Sequence, residues 1–496
     1  MDTKALKDKI LQLAVQGKLV PQNENDEPAI ILLERIKKEK EQLIKDKKIK
    51  KEKPLPEITE DEIPYELPNG WEWVRLGNII NIKSSKRIYE KEYVEKGIPF
   101  FRSKEIGELS NGKDNIDIKY FISEERYNEI REKFGIPQKG DILLTSVGTI
   151  GNTWIVDERD FYYKDGNITQ LEKNNNINNY YIEYFFKSYL FYDQLNKNLS
   201  GTAYNALTII KLKKLIFPLP PLNEQKRIVK KIDSLFKLID DLENNKQDLL
   251  QNISYVRNKA LQLAVQGKLV PQDENDEPAS VLLGRIKKEK EQLIKDKKIK
   301  KEKPLPEITE DEIPYKLPKG WEWTRIGEIT TIRGGKRIPS GSKIQTNPTE
   351  HIYIRVTDMK NGTIKNNDLR YIDDKTYEKI KNYIITSEDI YITIAGTIAQ
   401  VGIVPIQFNN MNLTENAARI TPHIINKLWL KFFFESSLIK NSLLDKVNQV
   451  AQPKLALKRI IDTFIPLPPL NEQKRIVEKL DSIMKLCDEL ESELNN

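Results

Sequence analysis

The sequence predicts an α/β (α+β) chain with two mixed α/β domains separated by two long antiparallel coiled-coil helices. Three observations support this class: an internal two-fold repeat, a long helical seam of apolar residues, and short β-branched runs between the repeated segments. Charged residues make up 31% of the chain, above the usual ~25%, which favours exposed helices and modest cores over one large core.

The repeat divides the chain into two copies of about 248 residues. The matching segments are LQLAVQGKLVPQ (11–22 and 261–272), the 31 residues of 35–65 (unchanged at 285–315), GWEW (70–73 and 320–323) and PLPPLNEQKRIV (218–229 and 466–477). By contrast, residues 81–139 and 331–387 hardly resemble each other. Two near-identical scaffolds therefore carry two different inserts, which indicates that the inserts differ in what they do.

The repeat also predicts the order of segments along the chain. They are one part of a distal conserved helix (1–17), a basic helical connector (18–70), a first insert domain (71–217), a central long helix (218–267), the repeated basic connector (268–320), a second insert domain (321–465) and the other part of the distal helix (466–496).

The central helix is predicted over residues 223–264, which at ~1.5 Å per residue is on the order of 60 Å long. Its apolar residues recur with the 3.5-residue period of a coiled coil. The second copy begins the same seam and then ends, and the N-terminus carries the missing half. We therefore expect the termini to meet on one composite helix, antiparallel to the central helix, so that the chain closes with a pseudo-two-fold axis. The predicted seam residues are Ile228, Ile232, Leu235, Ile239, Leu242, Leu249, Ile253 and Val256 in the first copy and Ile476, Leu480, Ile483 and Leu490 in the second.

The connectors concentrate the positive charge. Residues 35–53 contain ten Lys and Arg and four Asp and Glu, a net charge of +6, and residues 285–303 repeat it. The whole chain carries +7, so the remainder is slightly acidic. Two interpretations stay open: a solvated lysine-rich helix face, or an arm that lies along a phosphate backbone.

Each insert is predicted to be a mixed α/β domain. Residues 142–145 and 390–393 have the pattern of buried strands, and helices are predicted over 179–197 and 426–447. Trp71, Trp73, Trp321 and Trp323, which open the inserts, are interpreted as core residues rather than as platforms for base stacking, because they belong to the shared scaffold.

Polar and basic residues in the inserts are the candidates for nucleic-acid contact. Loops 83–87 and 333–337 occupy equivalent positions. The glycines of the second loop would let the backbone approach a phosphate, and the arginines of both loops would suit a guanine. An ordinary polar turn is the alternative for both loops. The full set is Lys83, Ser84, Ser85, Lys86, Arg87, Arg102, Ser103, Ser146, Thr149, Tyr204 and Asn205 in the first insert and Arg333, Gly334, Gly335, Lys336, Arg337, Arg355, Thr397 and Gln452 in the second.

The motifs of several enzyme classes are missing from the sequence. It contains no Gly-rich loop ending in Gly-Lys-Ser/Thr, no His-Glu-x-x-His and no Asn/Asp-Pro-Pro-aromatic tetrapeptide. One cysteine and two distant histidines give no ligand spacing for a metal, and no apolar run approaches ~18 residues. We therefore expect a cytoplasmic protein without catalytic residues, bound metal, cofactor or membrane span.

The order of motifs resembles the specificity subunit of a type I restriction–modification system. GWEW, then GDILLTSVGTI or EDIYITIAGTI, then PLPPLNEQKRIV running into a long helix occur in that order in both copies. The resemblance covers essentially the whole chain, and the junction of prolines with Asn-Glu-Gln is its most specific part.

This resemblance implies a role for each part. Each insert would be a target recognition domain that reads one half of a gapped, asymmetric sequence in double-stranded DNA. The long helices would set the gap and dock two modification subunits, which carry S-adenosylmethionine and methylate adenine, and restriction subunits would join the complex. Two other classes remain as alternatives: a scaffold that binds only proteins, which leaves the divergence of the inserts unexplained, and a self-contained nuclease or methyltransferase, which the missing motifs disfavour.

Overall fold

The computed structural model describes residues 2–47, 49, 51–199, 206–444 and 454–495, and it divides into two units, Met1–Asn245 and Lys246–Asn496. The helices of the first unit are α1 (Thr3–Val15), α2 (Ala29–Lys45), α3 (Leu76–Ile79), α4 (Ser103–Ser110), α5 (Glu124–Phe134), α6 (Asn179–Lys187), α7 (Tyr189–Leu199) and α8 (Ile209–Lys214). Its strands are β1 (Glu72–Arg75), β2 (Ile82–Lys83), β3 (Tyr93–Val94), β4 (Ile98–Phe101), β5 (Phe121–Ile122), β6 (Ile142–Thr145), β7 (Thr153–Ile155), β8 (Tyr162–Tyr163), β9 (Ile168–Leu171) and β10 (Ile216–Leu219).

Helix α9 (Leu222–Val265) starts in the first unit and ends in the second. The remaining helices are α10 (Ala279–Lys295), α11 (Ile326–Ile329), α12 (Asp374–Ile380), α13 (Lys427–Glu435), α14 (Ser437–Leu444), α15 (Leu457–Ile461) and α16 (Leu470–Asn495). The remaining strands are β11 (Glu322–Arg325), β12 (Thr330–Gly334), β13 (His351–Ile354), β14 (Met359–Lys360), β15 (Thr363–Ile364), β16 (Tyr371–Ile372), β17 (Ile384–Ile385), β18 (Ile390–Thr393), β19 (Val401–Ile403), β20 (Met411–Leu413), β21 (Ala417–Pro422) and β22 (Phe464–Leu467).

Each unit contains an antiparallel pair of helices. In the first unit α1 lies against the first half of α9, and Lys7 Nζ is 2.5 Å from an Asp240 carboxylate oxygen. In the second unit α16 lies against the last part of α9, and Arg257 bonds Asp488 and Glu491 at 2.5 and 2.6 Å. The antiparallel pairing predicted from the seam is confirmed within each unit. Closure of the chain through its termini stays a prediction.

The predicted seam is closed over only part of its length. Ile228, Ile232, Ile239, Ile253, Ile476 and Leu480 are buried, and Leu235 and Ile483 are partly buried. Leu242, Leu249, Val256 and Leu490 are 43–50% exposed, so the expectation that they are buried in the seam is wrong. Near the insert domains a further helix adds cover: Tyr184 of α6 packs against Phe236 of α9, and α13 contacts α16.

The two insert domains share the order of their first sheet and three strands of their second sheet despite their different sequences. Each contains a four-stranded antiparallel sheet, in the order β2-β9-β6-β7 or β12-β21-β18-β19. Each has a second sheet, β3-β5-β4-β8 or β16-β13-β20-β17, which contains one parallel pair. The fourth strand of the second sheet differs, because β3 lies beside β5 in the first domain and β17 lies beside β20 in the second. The strands predicted at 142–145 and 390–393 are confirmed as the buried central strands β6 and β18. Each domain is closed where its first strand pairs with its last, β1 with β10 and β11 with β22.

Each long helix predicted late in an insert is two helices. The backbone is extended at Ser188, between α6 and α7, and at Ser436, between α13 and α14. The hydroxyl of each serine donates to a carbonyl one turn back, Phe185 O or Phe433 O, at 2.7 Å. Side-chain capping of this kind competes with helix continuation. Residues 445–447, the end of the second predicted helix, lie outside the described residues.

Burial along α9 predicts how two substitutions differ. Ile232→Ala should lower the free energy of unfolding by about 2–5 kcal/mol, because it leaves a cavity in a closed core. Leu242→Ala, on the same helix and in the same unit, should lower it by less than about 0.5 kcal/mol because Leu242 is exposed. Urea unfolding followed by circular dichroism measures both. Equal losses would show that the seam is closed around Leu242 as well.

Candidate nucleic-acid interface

The conserved junction of each copy anchors the long helix to the insert domain. Glu224, in the first turn of α9, is buried and accepts hydrogen bonds from Trp71 Nε1 at 3.0 Å and Gln22 Nε2 at 2.9 Å. Burial raises the pKa of the Glu224 carboxyl. The neighbouring Gln225 accepts from the Asn178 backbone N–H at 2.8 Å and donates to Pro220 O at 2.9 Å. One short sequence thus joins helix, connector, first strand and α6.

The second copy repeats this junction with its own residues. Glu472 accepts from Trp321 Nε1 at 2.9 Å and from Gln272 Nε2 at 3.1 Å. Gln473 accepts from the Asn426 backbone N–H at 2.9 Å. Trp71 and Trp321 are core residues, as the sequence predicted. The sequence analysis did not predict that this glutamate and glutamine anchor the helix. The exact repetition of Asn-Glu-Gln in both copies was the signal that could have indicated it.

The loops at 83–87 and 333–337 each present an exposed arginine that an acid orients. Arg87 Nε donates to Asp165 at 2.8 Å, and the arginine side chain is 63% exposed. Arg337 Nε donates to Glu415 at 2.7 Å, and its side chain is 80% exposed. The acids lie at equivalent places in the two domains and were missed from sequence, because they are 78 residues from the arginines they orient.

The lysine beside each arginine is held in a matching way. Lys86 Nζ lies 5.1 Å from the centre of the Phe134 ring, and Lys336 Nζ lies 5.4 Å from that of Tyr383. The cation–π contacts restrict the ammonium groups but leave both residues exposed. Ser84 is exposed and Ser85 is half-buried, and Lys83 pairs with Glu172.

Gly335 serves packing within the domain, which differs from the predicted role. A Cβ at this position would lie 2.1 Å from Thr414 O and 2.3 Å from Leu413 O. The close approach that requires glycine is therefore made by the neighbouring backbone of the domain, and the Lys336 N–H donates to Leu413 O at 2.9 Å. Gly334 ends strand β12, opposite Ala418.

Several other candidates are bound into their own domains. Arg102 and Arg355 bond the buried carboxylates of Glu105 and Asp358, both at 2.7 Å. The Ser103 hydroxyl oxygen is enclosed, and Ser146 is buried and hydrogen-bonded to Thr169 at 2.7 Å. Thr149 and Thr397 are exposed at the tips of equivalent turns. Tyr204, Asn205 and Gln452 lie outside the described residues.

One lysine of each basic connector donates to a backbone carbonyl of its domain. Lys40 Nζ donates to Gly77 O at 3.0 Å, and Lys290 Nζ donates to Gly327 O at 2.6 Å. Burial lowers the pKa of both ammonium groups. Most of the other described lysines at 35–53 and 285–303 are exposed.

The family model of the type I restriction modification DNA specificity domain matches the chain twice, at residues 68–252 and 318–496. The chain belongs to the type I restriction–modification specificity subunits. Similar curated proteins agree: the EcoAI and EcoEI specificity subunits of Escherichia coli are each 31% identical to it. Their alignments cover 98% and 99% of this chain and 90% and 91% of the relatives.

Solved structures share the fold of this specificity subunit. The HsdS subunit of Thermoanaerobacter tengcongensis superposes with a TM-score of 0.53 at 19% identity, covering 87% of this chain and 95% of that one. A chain from work on complex assembly and conformational transition of the type I R-M system gives 0.58 at 19% identity, covering 87% and 94%. The predicted fold class is confirmed, and the two matched domains fit two target recognition domains.

The described residues of the specificity subunit form neither a membrane span nor a metal-binding cluster. No described helix is long and apolar enough to cross a membrane. Nor do the described His, Cys, Asp and Glu side chains form any group of three or more that would suit a metal ion.

The geometry separates structural arginines from exposed ones, which a pair of variants would test. Arg102→Ala should lower the free energy of unfolding by about 3 kcal/mol, because it removes the partner of the buried Glu105 carboxylate. Arg87→Ala should lower it by less than about 1 kcal/mol, because the pair with Asp165 is exposed on the arginine side. Urea unfolding gives both values. A larger loss for Arg87→Ala would make Arg87 a structural residue.

Proposed function

We propose that the two recognition domains read two different halves of one gapped, asymmetric target in double-stranded DNA. The observation that carries this proposal is that two domains with the same order of strands in their first sheet present different side chains at equivalent places of that sheet and its loop. Ser84 and Ser85 correspond to Gly334 and Gly335, and Lys83 corresponds to Arg333. Arg87 and Arg337 are alike, and we assign to both a contact with base edges or phosphates, because each is exposed and oriented.

We propose that the long helices set the length of the gap between the half-sites and bind the partner subunits. At ~1.5 Å per residue the 44 residues of α9 span on the order of 65 Å, an upper limit of about 19 base pairs at ~3.4 Å each. Each unit leaves apolar residues of its own helix pair exposed, Leu242 in the first unit and Leu249, Val256 and Leu490 in the second, which suits a protein partner. We assign this surface to two modification subunits, with restriction subunits added to the cytoplasmic complex.

The chemistry is assigned to the partners. The sequence has no Asn/Asp-Pro-Pro-aromatic motif, so we place S-adenosylmethionine and adenine methylation in the modification subunit and give the specificity subunit a non-catalytic role.

Methylation mapping is the direct test. The chain would be co-expressed with the modification subunit encoded beside it, and N6-methyladenine mapped across the host DNA. One gapped motif with two unlike halves supports the proposal. A stable complex without a new motif would favour the scaffold that binds only proteins, and direct DNA-binding measurements would then separate that scaffold from an inactive reader.

Exchange of one insert should change one half of the target. Replacing residues 81–215 with the corresponding insert of another specificity subunit should alter one half-site and leave the other half-site unchanged, since each domain has its own core. Replacing residues 331–463 is the matched control and should alter only the other half. Methylation mapping reads out both. A simultaneous change of both halves would contradict independent readers.

An insertion in α9 tests whether the helix sets the gap. Seven residues added near Lys246 should lengthen the gap by about 3 base pairs, because they add ~10.5 Å and nearly keep the seam in phase. The readout is again the mapped motif, with complex formation checked by size-exclusion chromatography. An intact complex that methylates at the original gap would show that another part of the assembly sets the spacing.

A further inference from the structure

The second unit contains a basic groove between its connector and its recognition domain. The groove has a volume of about 1170 Å³. The connector contributes five lysines, the domain two arginines, and only three acids share the lining. The cations are Lys287, Lys290, Lys300, Lys301, Lys303, Arg333 and Arg419 and the acids are Glu291, Glu302 and Glu328. The excess of cations over acids in the lining suits a polyanion.

Two arginines lie side by side in the wall of this groove. Arg333 on β12 is directly opposite Arg419 on β21, so their side chains share one face of the sheet. Arg419 lies 3.6 Å from the buried Asp389, and Arg333 donates to Lys298 O at 3.2 Å. Burial lowers the pKa of the Arg419 guanidinium, and the charge of Arg333 lowers it further. An anion between the two would relieve their repulsion.

The first unit has a different charge arrangement at the same strand positions. There Lys83 lies opposite Gln170, and Glu172 pairs with the lysine. Gln170 Nε2 donates to Asp141 at 2.6 Å, in the place where Arg419 meets Asp389. The pair of arginines therefore belongs to the second recognition domain rather than to the shared scaffold.

The groove continues into the candidate reading loop. Gly334 and Gly335 line both the basic groove and a neighbouring hollow around Arg337 and Glu415. The same two glycines thus border cations in both places, Arg337 in the hollow and Arg333 and Arg419 in the groove.

We propose that this groove binds the phosphodiester backbone of duplex DNA beside the half-site that the second recognition domain reads. The inference rests on the proposed function. It adds contacts with backbone phosphates on one side of the target, and these contacts do not depend on the base sequence. Its contacts would strengthen binding and leave the recognised bases unchanged, since phosphates carry no sequence information.

The experiment uses three single substitutions in the full chain, and the double variant R419Q/K301Q, each assembled with the modification subunits. Arg419→Gln introduces the residue that the first unit uses at this place, so the partner of Asp389 is retained. Lys301→Gln removes an exposed cation of the groove. Lys51→Gln is the matched control, because Lys51 occupies the same place in the identical repeat of the first unit.

The measurement is the affinity for a labelled duplex that carries the mapped target, over a range of salt concentrations. Removing one cation that neutralises a phosphate should reduce the slope of log K against log salt by about 0.9, so the double variant R419Q/K301Q should show a slope smaller by about 1.8. K51Q should keep the slope of the wild type, and all variants should methylate the same motif.

Other outcomes overturn the inference in distinct ways. An unchanged slope in the folded double variant would show that the groove does not hold the backbone, and an equal reduction in K51Q would assign the effect to connector charge in general. Saturable ATP binding that R419Q abolishes, with an unchanged slope for DNA, would make the ligand a free nucleotide. If the wild type failed to distinguish the target duplex from a scrambled one, the proposed function would fail instead.

Discussion

The buried carboxylate at the start of each long-helix segment is the interaction on which the architecture depends. Glu224 and Glu472 each accept hydrogen bonds from the tryptophan that directly precedes the first strand and from a glutamine of the connector. A buried carboxylate without donors is costly, so helix, strand and connector are held in one arrangement that satisfies it. Because this junction is the same in both copies, the two recognition domains of this chain are joined to the helix by the same contacts despite their different sequences.

The two recognition domains combine a shared arrangement of strands with different sequences. Their central strands are buried on both faces, and apolar residues of many kinds satisfy that requirement. This arrangement therefore tolerates sequence divergence that almost hides the relation between residues 81–139 and 331–387. Both domains nevertheless orient two exposed side chains by the same kinds of contact. In each domain an acid pairs with the exposed arginine, and an aromatic ring packs against the neighbouring lysine. At one equivalent position the first domain has the neutral Gln170 and the second has the cationic Arg419, so the charge at this place differs between the two domains.

The sequence predicted the elements with strong periodicity or exact repetition and missed features made by distant residues. The central helix, the buried strands and the repeat were accessible because each has a local pattern. The breaks at Ser188 and Ser436 were missed because a serine inside an apolar helical pattern does not show that its hydroxyl will cap the preceding turn. Of the candidate contact residues, Arg102, Arg355, Ser146 and Gly335 turned out to serve their own domains, since residue type alone does not reveal a buried partner.

The sequence by itself determined the two-copy organisation, the fold class and the family, because repeats and junction motifs are properties of residue order. The tertiary structure alone decided which apolar residues of the seam are covered, since coverage depends on what packs beside each helix. It alone brought Asp165 to Arg87 and Glu415 to Arg337, each across 78 residues of chain. It also placed the connector lysines beside Arg333 and Arg419, because a groove exists only where separate segments fold against each other.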